Sequence, residues 1–150
     1  MSNITLTQAD LIADAALQKG RTSHFQPLTV VVLDAGGHTK VIKREDGSSL
    51  MRADIAMGKA WGVLGMGFGG RELARRAEKV PGFFTALNVM SEGRMVPVAG
   101  GVLIRDHENN IIGSIGISGD TSDNDEVCAV AGVLAASLLA DTGDVTKNAN

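Results

Sequence analysis

A chain of 150 residues, 44% apolar and 21% charged, has the material for one globular domain that buries a core without disulfide or metal staples. A net charge of −3, an aromatic content of 3% and no tyrosine argue against a nucleic-acid partner, whether gripped by its phosphates or stacked base by base. No apolar run reaches the ~20 residues of a membrane span, the first residues lack a secretory signal pattern, and the one cysteine, Cys128, has no internal partner, so the chain is expected in a reducing cytoplasm.

Thr7, with Asp10 three residues on, predicts a helix over Gln8–Lys19 stopped by Gly20. Leu28–Leu33, apolar and largely β-branched, predicts a central strand covered on both faces. Asp34–Gly37 then makes a tight turn, and His38–Arg44 returns as a second strand. Met51–Gly67 has helical composition, and because each glycine in a helix costs up to ~1 kcal/mol relative to alanine, Gly58 and Gly62 point to close packing. Arg71–Lys79 predicts a short charged helix ended by Pro81, Phe83–Val89 another turn or two of helix, and Met95–Val98 a short strand.

The most informative stretch is Gly100–Cys128. Gly101–Arg105 and Ile111–Ser118, joined by the polar turn Asp106–Asn110, predict an antiparallel hairpin. Ile112, Ser114, Gly116 and Ser118 share one face of the second strand, and small residues there admit a second backbone or a flat ligand. Asp123 with Glu126 predicts the cap of a last helix carrying Val127, Ala131, Leu134 and Leu138 as its apolar stripe. From Asp141 onward the tail is polar. The element order predicts an α/β (α+β) sandwich over residues 1–150, one antiparallel sheet flanked by helices.

The letters GxGxxG occur at Gly65–Gly70, but a dinucleotide loop needs a strand before it and a βαβ unit around it, and here a helix precedes. Asp120, Ser122 and Asn124 alternate as in a calcium loop, yet the sixth and twelfth positions are Asp125 and Ala131 rather than Gly and Glu. His24, His38 and His107 share no metal-ligand spacing. His38 follows two glycines at the head of a strand, a place for either a structural or an acid–base imidazole. Lys59 stands among Met57, Ala60, Trp61 and Val63, where its stem packs against apolar neighbours or its amine anchors a carboxylate. Cys128 lies one turn into the last helix, where acidic neighbours oppose thiolate formation and favour an inert thiol.

Taken together, DAGGH (34–38), KREDGS (43–48), ADIAMGKAWG (53–62), VPVAGGVLIRD (96–106) and IGSIGISGDTSDNDEVCAVAG (112–132) resemble the GlcG/HbpS-like, or haem-degrading domain, family, which includes the C-terminal domain of PduO-type proteins. The resemblance implies a profilin-like sandwich with a five-stranded antiparallel sheet, assembly into homo-oligomers with pockets near subunit contacts, and haem or iron binding in some members. It marks His38, Arg44, Asp46, Lys59 and the loop Ser118–Glu126 as the patterned polar positions. The first helix lacks the histidine with which some haem-binding relatives ligate iron.

Two functions follow. One is a binding module for haem or another carboxylate-bearing small molecule, with Arg44, Asp46, Arg52, Ser118, Asp125 and Cys128 around the ligand and His38 or Cys128 reaching iron. The other is a small enzyme (a hydrolase, dehalogenase or tautomerase) acting on an unsaturated or hydroxylated organic acid. There Arg44 or Arg52 would hold the carboxylate, His38 or Glu126 would move a proton and Lys59 would stabilise an enolate-like charge. Both readings require these groups to border one hollow.

Overall fold

The computed structural model describes residues 2–145. Its elements are α1 (Leu6–Thr22), β1 (Thr29–Asp34), β2 (Thr39–Arg44), α2 (Arg52–Met66), α3 (Gly70–Lys79), α4 (Pro81–Met90), β3 (Gly101–Arg105), β4 (Ile111–Ser118), α5 (Ser122–Ala135) and β5 (Leu139–Asp141). The strands form one antiparallel sheet in the order β2-β1-β4-β3-β5. Helices α1 and α5 cover one face, and α2 covers the other with α3 and α4 beyond it. The predicted sandwich is therefore the fold.

β1 lies inside the sheet, between β2 and β4, and every residue in it is buried, as its unbroken apolar run requires. Val30 and Val32 face the α1–α5 layer, while Val31 and Leu33 face α2. α1 presents Ala9, Ile12, Ala13 and Ala16 to the core, the helical spacing of one apolar face. Its cap is Thr5 rather than Thr7: the Thr5 hydroxyl accepts from Gln8 N at 3.1 Å, and the Gln8 side chain returns to Thr5 N at 3.0 Å. The helix also runs through Gly20 instead of stopping there, and position 20 is glycine because Leu28 lies against the α-carbon and leaves no space for a side chain.

The last helix differs from its sequence reading in two ways. Thr121 is the cap, accepting from Asn124 N, and the buried residues are Asp125, Glu126, Cys128, Ala129, Gly132 and Val133. Val127 and Leu134 are exposed. α1 crosses so closely that a Cβ on Gly132 would stand 2.5 Å from Ile12 O, so the small Cys128, Ala129 and Gly132 mark the face packed on α1, while Val133 and, beyond the helix, Leu138 join the core.

Met95–Val98 is not a strand. Pro97 lacks the N–H a ladder needs, and Val96 N donates to Gly58 O on α2. Gly58 and Gly62 leave the space that Val96 and Met95 fill, which is the close packing their positions predict. The fifth strand is instead β5, at the start of the supposed polar tail: Asp141 ion-pairs with Arg105, and Thr142 is buried with its carbonyl accepting from Arg71 N. Residues 146–150 of that tail lie outside the described residues. Gly65–Gly70 is the joint between α2 and α3, with Gly67 left-handed at the end of α2 and Gly69 starting α3.

Candidate functional site

The small-residue face of β4 receives a backbone, not a ligand. Ser114 Oγ donates to Ala60 O at 2.7 Å, and a Cβ on Gly116 would stand 2.0 Å from Ala56 O. α2 therefore lies directly on the sheet, and its inward groups are closed in. Lys59 is 3% exposed and donates to Ile117 O at 2.8 Å and to Asp125 Oδ2 at 3.1 Å. Asp125, 1% exposed, also accepts from Asp120 N at 3.0 Å. Gly100, at φ +102°, passes so close that a Cβ there would meet Lys59 Nζ at 2.8 Å. Burial pushes the Lys59 ammonium down and the Asp125 carboxyl up, and their mutual attraction opposes both shifts.

Around this pair lie the other groups assigned from sequence to α2 and the start of α5. Arg52 Nη1 donates to the buried Ser118 Oγ at 3.1 Å, and its charge lowers the Lys59 pKa further. Glu126 is 8% exposed, and its Oε2 lies 2.8 Å from Arg71 Nε without lining up for a hydrogen bond. The expected capping role for Glu126 is thus replaced by a charge contact across to α3. Asp120, suspected of cation binding, spends its oxygens on Gln26 N, Thr121 N and Asn124 Nδ2.

Arg44 and Asp46 are exposed and line an open cleft with Arg21, Pro27 and Glu45. Arg44 Nη1 is bound to Ser48 O, and Arg21 is paired with Glu45 at 2.9 Å. Cys128 lies on the far side of the sheet, within the α1–α5 core. Burial is the main reason its thiol is pushed up to about 11, with Asp125 adding to it. The thiol is expected to resist a thiol reagent in the native protein at neutral pH and to react fully in urea; fast native labelling would show that α1 and α5 open readily.

His38 stands apart from all of these. Gly113 pairs with Asp34 and Ile117 with Val30, so four residues of strand, about 13 Å, separate the His38 turn from the Lys59 end. The single hollow that both the binding and the enzyme readings require of these groups is not formed.

What the His38 turn forms instead is a hydrogen-bonded rim. Asp34 is 8% exposed, and its Oδ1 accepts from Gly36 N at 3.0 Å and His38 N at 2.9 Å while sitting 3.2 Å from His38 Nδ1. Burial pushes this carboxyl up, but the two backbone N–H groups and the imidazole outweigh it and hold the pKa below the ordinary carboxylate value. Asn3 Oδ1 ties Ala35 N from outside at 2.9 Å. The imidazole side chain is 82% exposed, with Nδ1 anchored and Nε2 open. Beside it is a cleft of about 220 Å³ lined by Ala35, Gly36, Gly37, Trp61, Leu64 and Gly65. The Arg94 guanidinium stacks on the Trp61 ring at 4.4 Å, and its Nε is fixed to Ser91 O at 2.8 Å.

A family model described as haem degrading protein HbpS-like matches residues 4–134. The chain belongs to the HbpS-like family. Among solved structures, the Klebsiella pneumoniae protein ORFY is 28% identical, with 91% of this chain and 92% of that one covered at a TM-score of 0.81. A double mutant of HbpS from Streptomyces reticuli is 27% identical, covering 89% and 87% at 0.77. PduOC in complex with haem, 24% identical, covers 95% and 99% at 0.81 and shares the fold.

In this HbpS-like chain, sequence reasoning placed His38 and Lys59 on distinct features but missed their partners. The Asp34–His38 contact was open to discovery, because an aspartate at the head of a Gly-Gly turn characteristically binds the backbone it precedes. Trp61 with Arg94 carried no such signal, since 33 residues and two helices separate them. No group of three or more His, Cys, Asp or Glu side chains suited to a metal ion occurs among the described residues, and no helix there is long and apolar enough to cross a membrane.

Proposed function

We propose that this protein is a homo-oligomeric binding module for haem or a similar flat, carboxylate-bearing molecule, held at the His38 rim. One observation carries the reading: the His38 imidazole is anchored at Nδ1 by a buried carboxylate and leaves Nε2 free beside a tryptophan-floored cleft. A carboxylate on the second ring nitrogen orients an imidazole and raises its basicity as a metal ligand. The residues present fit the group. His38 Nε2 would ligate the iron, Trp61 and the glycines would meet the flat face, and the Nη groups of Arg94 would pair with a propionate. Bound haem would supply the redox or ligand-sensing chemistry, while the chain's own residues orient and retain it. Haem in the PduOC complex and the family's description support the choice of ligand.

At about 220 Å³ the cleft is smaller than the ~300–1,000 Å³ of most enclosed ligand sites, which favours a ligand lying half open, its outer face available to a second copy. A single reduced thiol in the core agrees with a cytoplasmic setting for residues 1–150 acting as one unit.

Haemin titration followed at the Soret band tests the assignment. The wild type should saturate with a shifted band, His38→Ala should lose the shift, and Asp34→Asn should weaken binding by ~10–100-fold. Cys128→Ala should bind as wild type. Gly36→Ala, whose Cβ would touch the imidazole Cε1 and Nδ1 at 3.0 Å, should perturb the band without unfolding the chain. A shift indifferent to His38 would refute the site.

A further inference from the structure

Of the residues lining the cleft beside His38, Ala35, Gly36, Gly37, Leu64 and Gly65 have no polar side-chain atom. The remaining one is Trp61, whose indole N–H donates to nothing among the described residues. A half-buried tryptophan ordinarily finds an acceptor for that group. The edge that carries it is turned to the rim: a Cβ on Gly37 would stand 3.9 Å from Trp61 Cδ1 and 4.0 Å from Nε1. The backbone N–H groups of the rim are already spent. Ala35 N donates to Asn3 Oδ1, Gly37 N to Asp34 O, and Gly36 N and His38 N to Asp34 Oδ1. Leu64 and Gly65 lie within α2, where the helix takes their N–H groups. The indole N–H is therefore the donor that the cleft still offers.

Charge selects the acceptor. The Arg94 guanidinium lies over the Trp61 ring at 4.4 Å, tied by Nε to Ser91 O, and its Nη groups bind nothing among the described residues. Asp34, the acid of the rim, is 8% exposed and turned into its own turn and the imidazole. An idle donor beside an unpaired cation suits an anionic acceptor, because a hydrogen bond to a charged group is about twice as strong as a neutral one. We propose that the Trp61 indole N–H selects the ligand by donating to an ionised carboxylate at the edge of a planar molecule, with Arg94 supplying the counter-charge. The cleft takes flat acids and discriminates against their esters. This rests on the binding function assigned above to the His38 rim and adds the group that the ligand must carry.

Haemin and its dimethyl ester, alike in ring and iron but not in charge, are the probes, with affinities for the full chain read at the Soret band. The wild type should bind the acid at least ~10-fold more tightly. Trp61→Phe, which keeps a flat ring but no N–H, should weaken haemin by ~10-fold or more and the ester by less than about twofold. A variant that weakens both alike shows ring packing and overturns the inference, as does a wild type indifferent to esterification. A second readout leaves the chain unaltered. The one tryptophan gives one indole N–H resonance, which should move further downfield with iron-free protoporphyrin than with the dimethyl ester of that porphyrin. Equal displacement by the two overturns the inference. Iron-free porphyrin makes no use of His38 as an iron ligand, so a Soret shift that survives His38→Ala sinks the iron assignment, whereas the acid-over-ester preference stands or falls on Trp61.

Discussion

Lys59→Met is expected to cost about 3–5 kcal/mol of folding stability, read from urea unfolding, and to be largely repaired by Asp125→Asn in the same chain. Methionine replaces the aliphatic stem but removes the charge that Asp125 faces at 3.1 Å and the donor to Ile117 O. The surviving carboxylate would be 1% exposed with a single N–H, from Asp120, for company. An unpaired buried charge is far costlier than a pair removed whole, and the amide that replaces the carboxylate in the double variant would still accept from Asp120 N. The pH dependence gives a second reading of the same event. Asp125 already has a raised pKa, and removing Lys59 deletes the attraction that restrains it. A carboxyl whose folded pKa is raised favours the folded state below its unfolded value and loses that advantage as pH rises through the folded one. The deficit of Lys59→Met should therefore be smaller near about pH 5 than near about pH 8. An equal deficit at both, or no recovery in the double variant, would mean the pair is not sealed from water.

Gly116→Ala should be the most damaging single methyl in the sheet. The added carbon would lie 2.0 Å from Ala56 O and 2.7 Å from Ala60 N. Both obstacles are backbone, so no side chain can swing aside, and α2 must rise off β4. That movement pulls Ala60 O away from Ser114 Oγ, a buried bond of 2.7 Å. Overpacking typically costs ~1–3 kcal/mol, and the upper end applies when a helix must shift. For a chain of this length ~3 kcal/mol lowers the melting temperature by roughly 6–12 °C. Gly82→Ala makes the control, because a Cβ there meets nothing within 4 Å. It should be neutral or raise stability by up to ~1 kcal/mol through a stiffer unfolded chain.

The fold was legible because its signals are local and periodic. The all-buried run of β1, the turn at Asp34–Gly37 and the hairpin through Asp106–Asn110 each announce themselves within a few residues. Caps and edges were not legible to the same degree. Thr5 and Thr7 are alternative caps for one helix, and only the reciprocal reach of Gln8 decides between them. β5 is three residues long and ends on a charged one, and it becomes a strand because β3 presents a free edge and Arg105 a charge for Asp141. For α5, aliphatic size pointed to Val127 and Leu134, whereas the crossing with α1 selects the small Cys128 and Gly132.

The candidate site divided along similar lines. Lys59, Asp125, Arg52 and Ser118 do gather, since α2 and the start of α5 meet over the end of β4. Their burial turns them into structural groups, which residue type alone does not reveal. His38 carried the right chemistry, but its distance from that cluster follows from strand register, and register is a property of the whole sheet.

The seam between α2 and β4 also says where this molecule can change. Glycine against carbonyl leaves no slack there, so altering that contact tears the scaffold before it can reshape a cavity. Novel ligand preference must then be written on the periphery, in the tip at 35–38 and the bend at 91–94 that brackets the indole. A library confined to those eight positions should yield folded variants of diverse taste, whereas one aimed beneath the helix should yield mostly insoluble protein.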